Sequence, residues 1–118
     1  MMNQLEKYEK IFKALSDKNR LRILKILQKK SLCVCEITSI LKLATSTVSQ
    51  HLSILQQAGL IVGDKEKKWV NYKINTEPQD DAVSAALLFV QLQMENDETI
   101  KKDRKSLVYA DRNLICQR

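Results

Sequence analysis

The chain has 118 residues, of which 44% are hydrophobic, enough for one core and short of what two independent domains need. Two glycines and one proline exclude a sheet protein joined by tight turns and leave a mainly helical chain. Net charge is +6, which makes a polyanion a plausible partner, and the three cysteines are an odd number that argues against a disulfide framework. The opening "MMNQLEKYEKIFKALSD" has charged residues threaded through it, and no apolar run reaches spanning length, "AVSAALLFV" being the nearest. The expectation is a cytoplasmic protein with no membrane partner.

The positive excess lies at one end. Residues 1–30 hold nine Lys or Arg against three acids, whereas residues 31–118 hold eleven of each. A phosphate-facing patch and the solvated face of two surface helices both fit this pattern.

In chain order, Leu5, Tyr8, Ile11, Phe12 and Leu15 recur at helical spacing. Ser16 or Asp17 then caps a second amphipathic helix carrying Leu21, Ile23, Leu24, Ile26 and Leu27. After "SLCVC" a short helix carries Ile37, Ile40 and Leu41, and a break at "LAT" leads into "STVSQHLSILQQAGL". There Val48, Leu52 and Leu55 share one face, leaving Ser46, Thr47, Ser49, Gln50 and Ser53 outward. Gly59 supplies the helix terminator. "IVGDKEKKWVNYKIN" reads as a hairpin with a charged tip at Lys65–Lys68, on whose return strand Trp69 and Tyr72 are packing residues. Past Pro78, "DDAVSAALLFVQLQM" is helical and apolar on nearly every side, so something must cover it; the simplest cover is the same helix of a second subunit. Residues 96–118 read as a charged tail beyond a domain spanning 1–95, with a helix and then a frayed end.

A short helix, a brief turn and a second helix with small polar residues outward form a helix-turn-helix, and a basic hairpin after it forms a wing. Ser46, Thr47, Ser49 and Gln50 are short enough to approach base edges, with Gln50 suited to paired contact with adenine. His51 is a phosphate contact or a structural residue, and Lys65, Lys67 and Lys68 suit phosphates or the minor groove. The fold class expected is therefore mainly α with a small β-hairpin, a homodimeric winged helix-turn-helix, and double-stranded DNA is the expected partner. Glycine-rich phosphate loops are missing and no histidine is placed to activate a cysteine, so an enzyme is not expected.

Three linked motifs, "ALSDKNRLRIL", "STVSQHLSILQQAGL" and "WVNYKI", resemble the ArsR/SmtB family of metal-responsive winged-helix repressors, its arsenic-sensing members in particular, over about Leu5 to Leu92. The resemblance implies a homodimer built through the first and fifth helices that reads a two-fold symmetric operator. It also implies that "CVC", Cys33 and Cys35, holds the inducer, trivalent arsenic or antimony. Soft ions select thiolate, and a helix start is expected to favour the thiolate of Cys33. Residues i and i+2 point apart on a helix, so two sulfurs converge only if the helix start distorts or stays extended. Some relatives carry a third cysteine three residues on, where this chain has Thr38. Cys116 is then a candidate third ligand, since the roughly twenty residues before it span about 60 Å when extended, and an unconstrained tail thiol is the alternative. The family's fifth-helix zinc site is not expected, because the only histidine is His51. Other readings of the pair are buried small residues, a cadmium or lead site, a thiol-oxidation sensor, and a soft-metal carrier that does not bind DNA.

Overall fold

The computed structural model describes residues 3–110. In chain order these form α1 (Gln4–Leu15), α2 (Lys18–Leu27), α3 (Val34–Leu41), α4 (Thr45–Gln57), the strands β1 (Ile61–Glu66) and β2 (Trp69–Ile74), α5 (Asp81–Leu92) and α6 (Glu98–Tyr109). Four helices start on Asn or Asp, whose short side chain reaches an amide that the first turn leaves unbonded. Asn3 accepts from Glu6 at 2.9 Å, Asp17 from Asn19 at 2.8 Å, Asp80 from Ala82 at 2.8 Å and Asp97 from Ile100 at 3.0 Å. Of the two candidate caps for α2, Asp17 fills the role and Ser16 closes α1.

The second helix departs from its amphipathic reading. Five consecutive residues, Ile23 to Leu27, are buried, which a helix with one wet face does not permit. The reason is tertiary: α2 touches each of the other five helices and β2. Ile11 and Ala14 of α1, Ile37 and Ile40 of α3, and Val48, Leu52 and Leu55 of α4 complete the core around it.

Sequence periodicity gave no hint of Lys25, which is fully buried at the centre of this arrangement. Its Nζ donates to the carbonyls of Val90 at 2.9 Å and Gln93 at 2.7 Å, at the C-terminal end of α5 where carbonyls lack helical partners. It also pairs with Glu95 at 2.8 Å. Glu95 in turn binds Arg104 of α6 at 2.8 Å, and Arg104 donates to Gln28 at 3.1 Å, closing the ring back onto α2. A second tie joins α2 to α6: Arg22 holds the buried Asp103 through two bonds of 2.8 and 2.9 Å. With Ile100 and Leu107 buried beside it, α6 is packed onto α2 and α3, in a stretch whose charges alone suggest a solvated tail.

One apolar surface stays uncovered. The helices α1 and α5 pack on each other, with Lys7 paired to Asp80, and together they expose Leu5, Phe12, Leu88, Phe89 and Leu92.

Two outcomes follow from the ring around Lys25. Replacing it (Lys25→Met) strands α5 carbonyls and Glu95 and is expected to lower unfolding free energy by about 3 kcal/mol, read from the urea midpoint. The Glu95 carboxyl is held below its ordinary 4.5 by Lys25, against burial, and by Arg104. Its ionisation therefore supports the fold above that value, and the support is lost as pH falls through the lower folded value. Glu95→Gln should flatten the acid limb of a stability profile taken from neutral pH downward; an unchanged limb would remove Glu95 from the acid response.

Candidate nucleic-acid interface and thiol site

The turn between α3 and α4 opens with Lys42 in the left-handed region (φ 58°), its N–H bonded to Thr38 O at 2.8 Å. This sharp exit lets α4 leave α3 at once. Val48, Leu52 and Leu55 lie in the core, while Ser46, Ser49 and Gln50 are exposed and Thr47 is half-buried at the edge. His51 is half-buried too, with Nδ1 3.2 Å from Arg20 Nη1. The outer face of α4 is thus short and polar over its first two turns.

The wing follows directly. Strands β1 and β2 are antiparallel, from Ile61 opposite Ile74 to Glu66 opposite Trp69, with Lys67 and Lys68 as the turn. Lys67 takes a positive φ of 55°, and Lys65, Lys67 and Lys68 are all exposed. Lys68 lies over the Trp69 ring, 4.8 Å from its centroid, so part of its reach is spent on a cation–π contact. Gly63 packs closely: a Cβ there would sit 3.0 Å from Cε1 of Tyr72, whose ring would have to give by a few tenths of an ångström.

Tyr72 ties this hairpin to the cysteines. The segment ahead of α3 pairs with β2 through Leu32 N–H to Tyr72 O at 3.0 Å and Tyr72 N–H to Leu32 O at 2.7 Å. The next residue, Cys33, is extended (φ −90°, ψ 169°) and caps α3. Its N–H donates to Glu36 Oε1 at 3.0 Å while its sulfur takes the Glu36 N–H, a reciprocal capping box. The spacing Cys33-x-x-Glu36 was the available sequence signal for this buried carboxylate, masked by cysteine standing where serine or threonine is usual.

The helix start does not favour the thiolate of Cys33. The residue is 1% exposed, and burial pushes its thiol above the ordinary 9.0, with the Glu36 carboxylate adding to the rise. The amides of Glu36 and Cys35 pull the other way and lose. Desolvation of a charged sulfur beside a buried carboxylate outweighs the helix terminus. Cys35 lies half-buried on the first turn of α3, where Thr38 Oγ1 donates to its carbonyl at 2.8 Å. Cys33 keeps its thiol. Cys116 lies outside the described residues. Among the described residues no three His, Cys, Asp or Glu side chains gather as a metal-ligand group.

Comparison with known proteins is decisive at the family level. Residues 17–62 match the model described as bacterial regulatory protein, arsR family. The arsenical resistance operon repressor of Bacillus subtilis is 39% identical over 84 residues, 70% of this chain and 80% of that one. This chain belongs to the ArsR family. A cadmium resistance regulatory protein CadC homolog from Staphylococcus aureus is 39% identical over 80 residues, 67% of this chain and 66% of its own. Among solved structures, a homodimeric winged helix-turn-helix DNA-binding domain from Mycobacterium bovis, described as a possible ArsR-family regulator, superposes with a TM-score of 0.63 at 26% identity, covering 77% of this chain and 87% of that one.

The ArsR-family chain is therefore a transcriptional regulator with a DNA-binding winged helix-turn-helix. No described helix is long and apolar enough to cross a membrane. Sequence reasoning missed two residues that set the site, Arg20 and Glu36. Arg20 carried no periodic signal, because its contacts reach back to α1 and across to α4.

In the reduced protein the buried, raised thiol of Cys33 should react with iodoacetamide roughly tenfold or more slowly than in urea, and its rate should keep climbing past pH 9. Peptide mass spectrometry against pH reads both. Equal rates in native and unfolded protein would mean that Cys33 is open to solvent.

Proposed function

We propose that this ArsR-family regulator is a homodimeric repressor that trivalent arsenic or antimony, captured by the thiolates of Cys33 and Cys35, releases from its operator. One observation carries the reading. Cys33 is outside the helix in extended backbone, and its amide and sulfur both hold the first turn of α3 through Glu36. Cys35 sits on that turn, so drawing both sulfurs to one ion requires the turn to rotate or unwind. The capping box and the two-sulfur site compete for the same atoms.

The donor set suits the ion: thiolates are soft, and trivalent arsenic is thiophilic. Each As–S bond that forms breaks an As–O bond of the neutral arsenous acid, and the thiol proton leaves with that hydroxide as water, so the step balances without free protons. Cys116 or solvent supplies any third donor. Ser46, Thr47, Ser49 and Gln50 read base edges in the major groove, His51 meets backbone, and Lys65, Lys67 and Lys68 place the wing on phosphate. The second subunit covers the apolar surface of α1 and α5, in keeping with the homodimeric state of the M. bovis relative. Signal reaches DNA through the Leu32–Tyr72 pairing, one residue from Cys33, and through α3, which precedes α4 in the helix-turn-helix.

A second reading is thiol oxidation as the signal, because the two sulfurs that would hold an ion can also be oxidised. Cadmium and lead are further thiophilic candidates, cadmium having support in the name of the S. aureus relative.

Fluorescence anisotropy of labelled promoter DNA with the reduced protein separates these. Arsenite is expected to release the DNA, and Cys33→Ser or Cys35→Ser to retain binding and lose release. Release by peroxide or cadmium with indifference to arsenite would replace the inducer. Gln50→Ala should weaken operator binding about tenfold more than binding to random duplex; equal loss on both would make Gln50 a backbone contact.

A further inference from the structure

His51 is the only histidine of the chain, and one of its ring nitrogens is already engaged. Arg20 Nη1 lies 3.2 Å from Nδ1. A guanidinium has hydrogens to donate and no lone pair to accept with. Nδ1 is therefore the acceptor, and the proton of the neutral ring sits on Nε2. Nε2 has no protein partner among the described residues and is not a buried orphan atom, so it opens to solvent on the flank of α4, one position past Gln50.

Arg20 is itself anchored to the end of α1. Its Nε donates to Ala14 O at 2.8 Å and its Nη2 to Lys13 O at 3.0 Å. Asp17 Oδ2 lies 4.0 Å from Nη1, and the side chain is only 13% exposed. Three of its five N–H groups are thus engaged within the fold, and little of the side chain reaches solvent. Lys10, Lys13 and Arg20 share the lining of a hollow between α1 and α4 on the same flank with Ser16, Ile54 and Gln57.

We propose that Arg20 is a positioning residue of the DNA interface: it locks His51 in the Nε2–H tautomer and aims that N–H outward as a donor to a backbone phosphate beside the groove that α4 enters. This rests on the reading of α4 as the recognition helix. In this tautomer the contact carries no charge of its own, unlike those of the lysines, and its geometry is set by α1 and α2 together with the recognition helix that carries His51.

Because the chain has one histidine, the tautomer is readable without assignment from long-range ¹⁵N–¹H correlation of the imidazole in alkaline buffer. An acceptor-type Nδ1 and a protonated Nε2 are expected in the wild type, and a tautomer mixture in Arg20→Met. On operator DNA, His51→Ala should weaken binding about tenfold with an unchanged salt slope, because no counterion-releasing charge is lost. His51→Gln, which keeps a donor near Nε2, should restore most of it. Arg20→Met should weaken binding by a similar factor in the wild-type background and add little to His51→Ala, a coupling that a merely structural role would not produce. A protonated Nδ1 in the wild type, or fully additive losses in the double variant, would overturn the proposal. If Gln50→Ala and Ser46→Ala both left operator binding intact while the tautomer result held, the recognition-helix reading would fall, and the phosphate contact with it.

Discussion

The ammonium of Lys25, buried in the last turn of α2, is the constraint around which the rest of this structure is arranged. It takes the place of the missing helical donors at the end of α5 and draws in Glu95, which in turn fixes Arg104 of α6. A lysine with no exposed atom is tolerated only because carbonyls and a carboxylate surround it. The consequence is that α5 and α6 have one setting relative to α2. The apolar side of α5 faces outward beside that of α1, as a surface that a second copy can cover. A monomer rarely leaves such a patch wet.

The cysteine segment lies at a junction of three elements. Leu32 is paired with β2 of the wing, Cys33 caps α3, and α3 leads through Lys42 into α4. Every link is a hydrogen bond or a short turn, so little slack separates the thiols from the elements that meet DNA. On the proposed function, ligand and DNA oppose each other by a shared coupling free energy, whichever binds first. In the resting fold the Cys33 sulfur is protonated and covered, which protects it from solvent reagents.

Much of this architecture was legible from residue pattern. Val48, Leu52 and Leu55 marked the buried side of α4 and left Ser46, Ser49 and Gln50 exposed, as found. The hairpin and its lysine tip were readable because β-prone runs flank a charged pair. The misses share a physical cause. Lys25, Arg20 and Asp103 are charged residues whose burial depends on partners 65, 31 and 81 positions away, and helical periodicity carries no record of such contacts. The same blindness made α2 look amphipathic and hid the packing of α6. Cys33 is the instructive case at the site: its place at a helix start was visible, but the depth of its burial and the carboxylate beside it were not, and those decide its protonation.

Coupling between the thiol site and DNA is the centre of the account, and reciprocity tests it most directly. Arsenite affinity would be measured by calorimetry on the reduced protein, first alone and then saturated with operator duplex. The account predicts weaker arsenite binding to the DNA complex, by the same factor by which arsenite weakens operator binding. Equal arsenite affinity in the two states would contradict it, because an ion that binds both states alike cannot release the DNA.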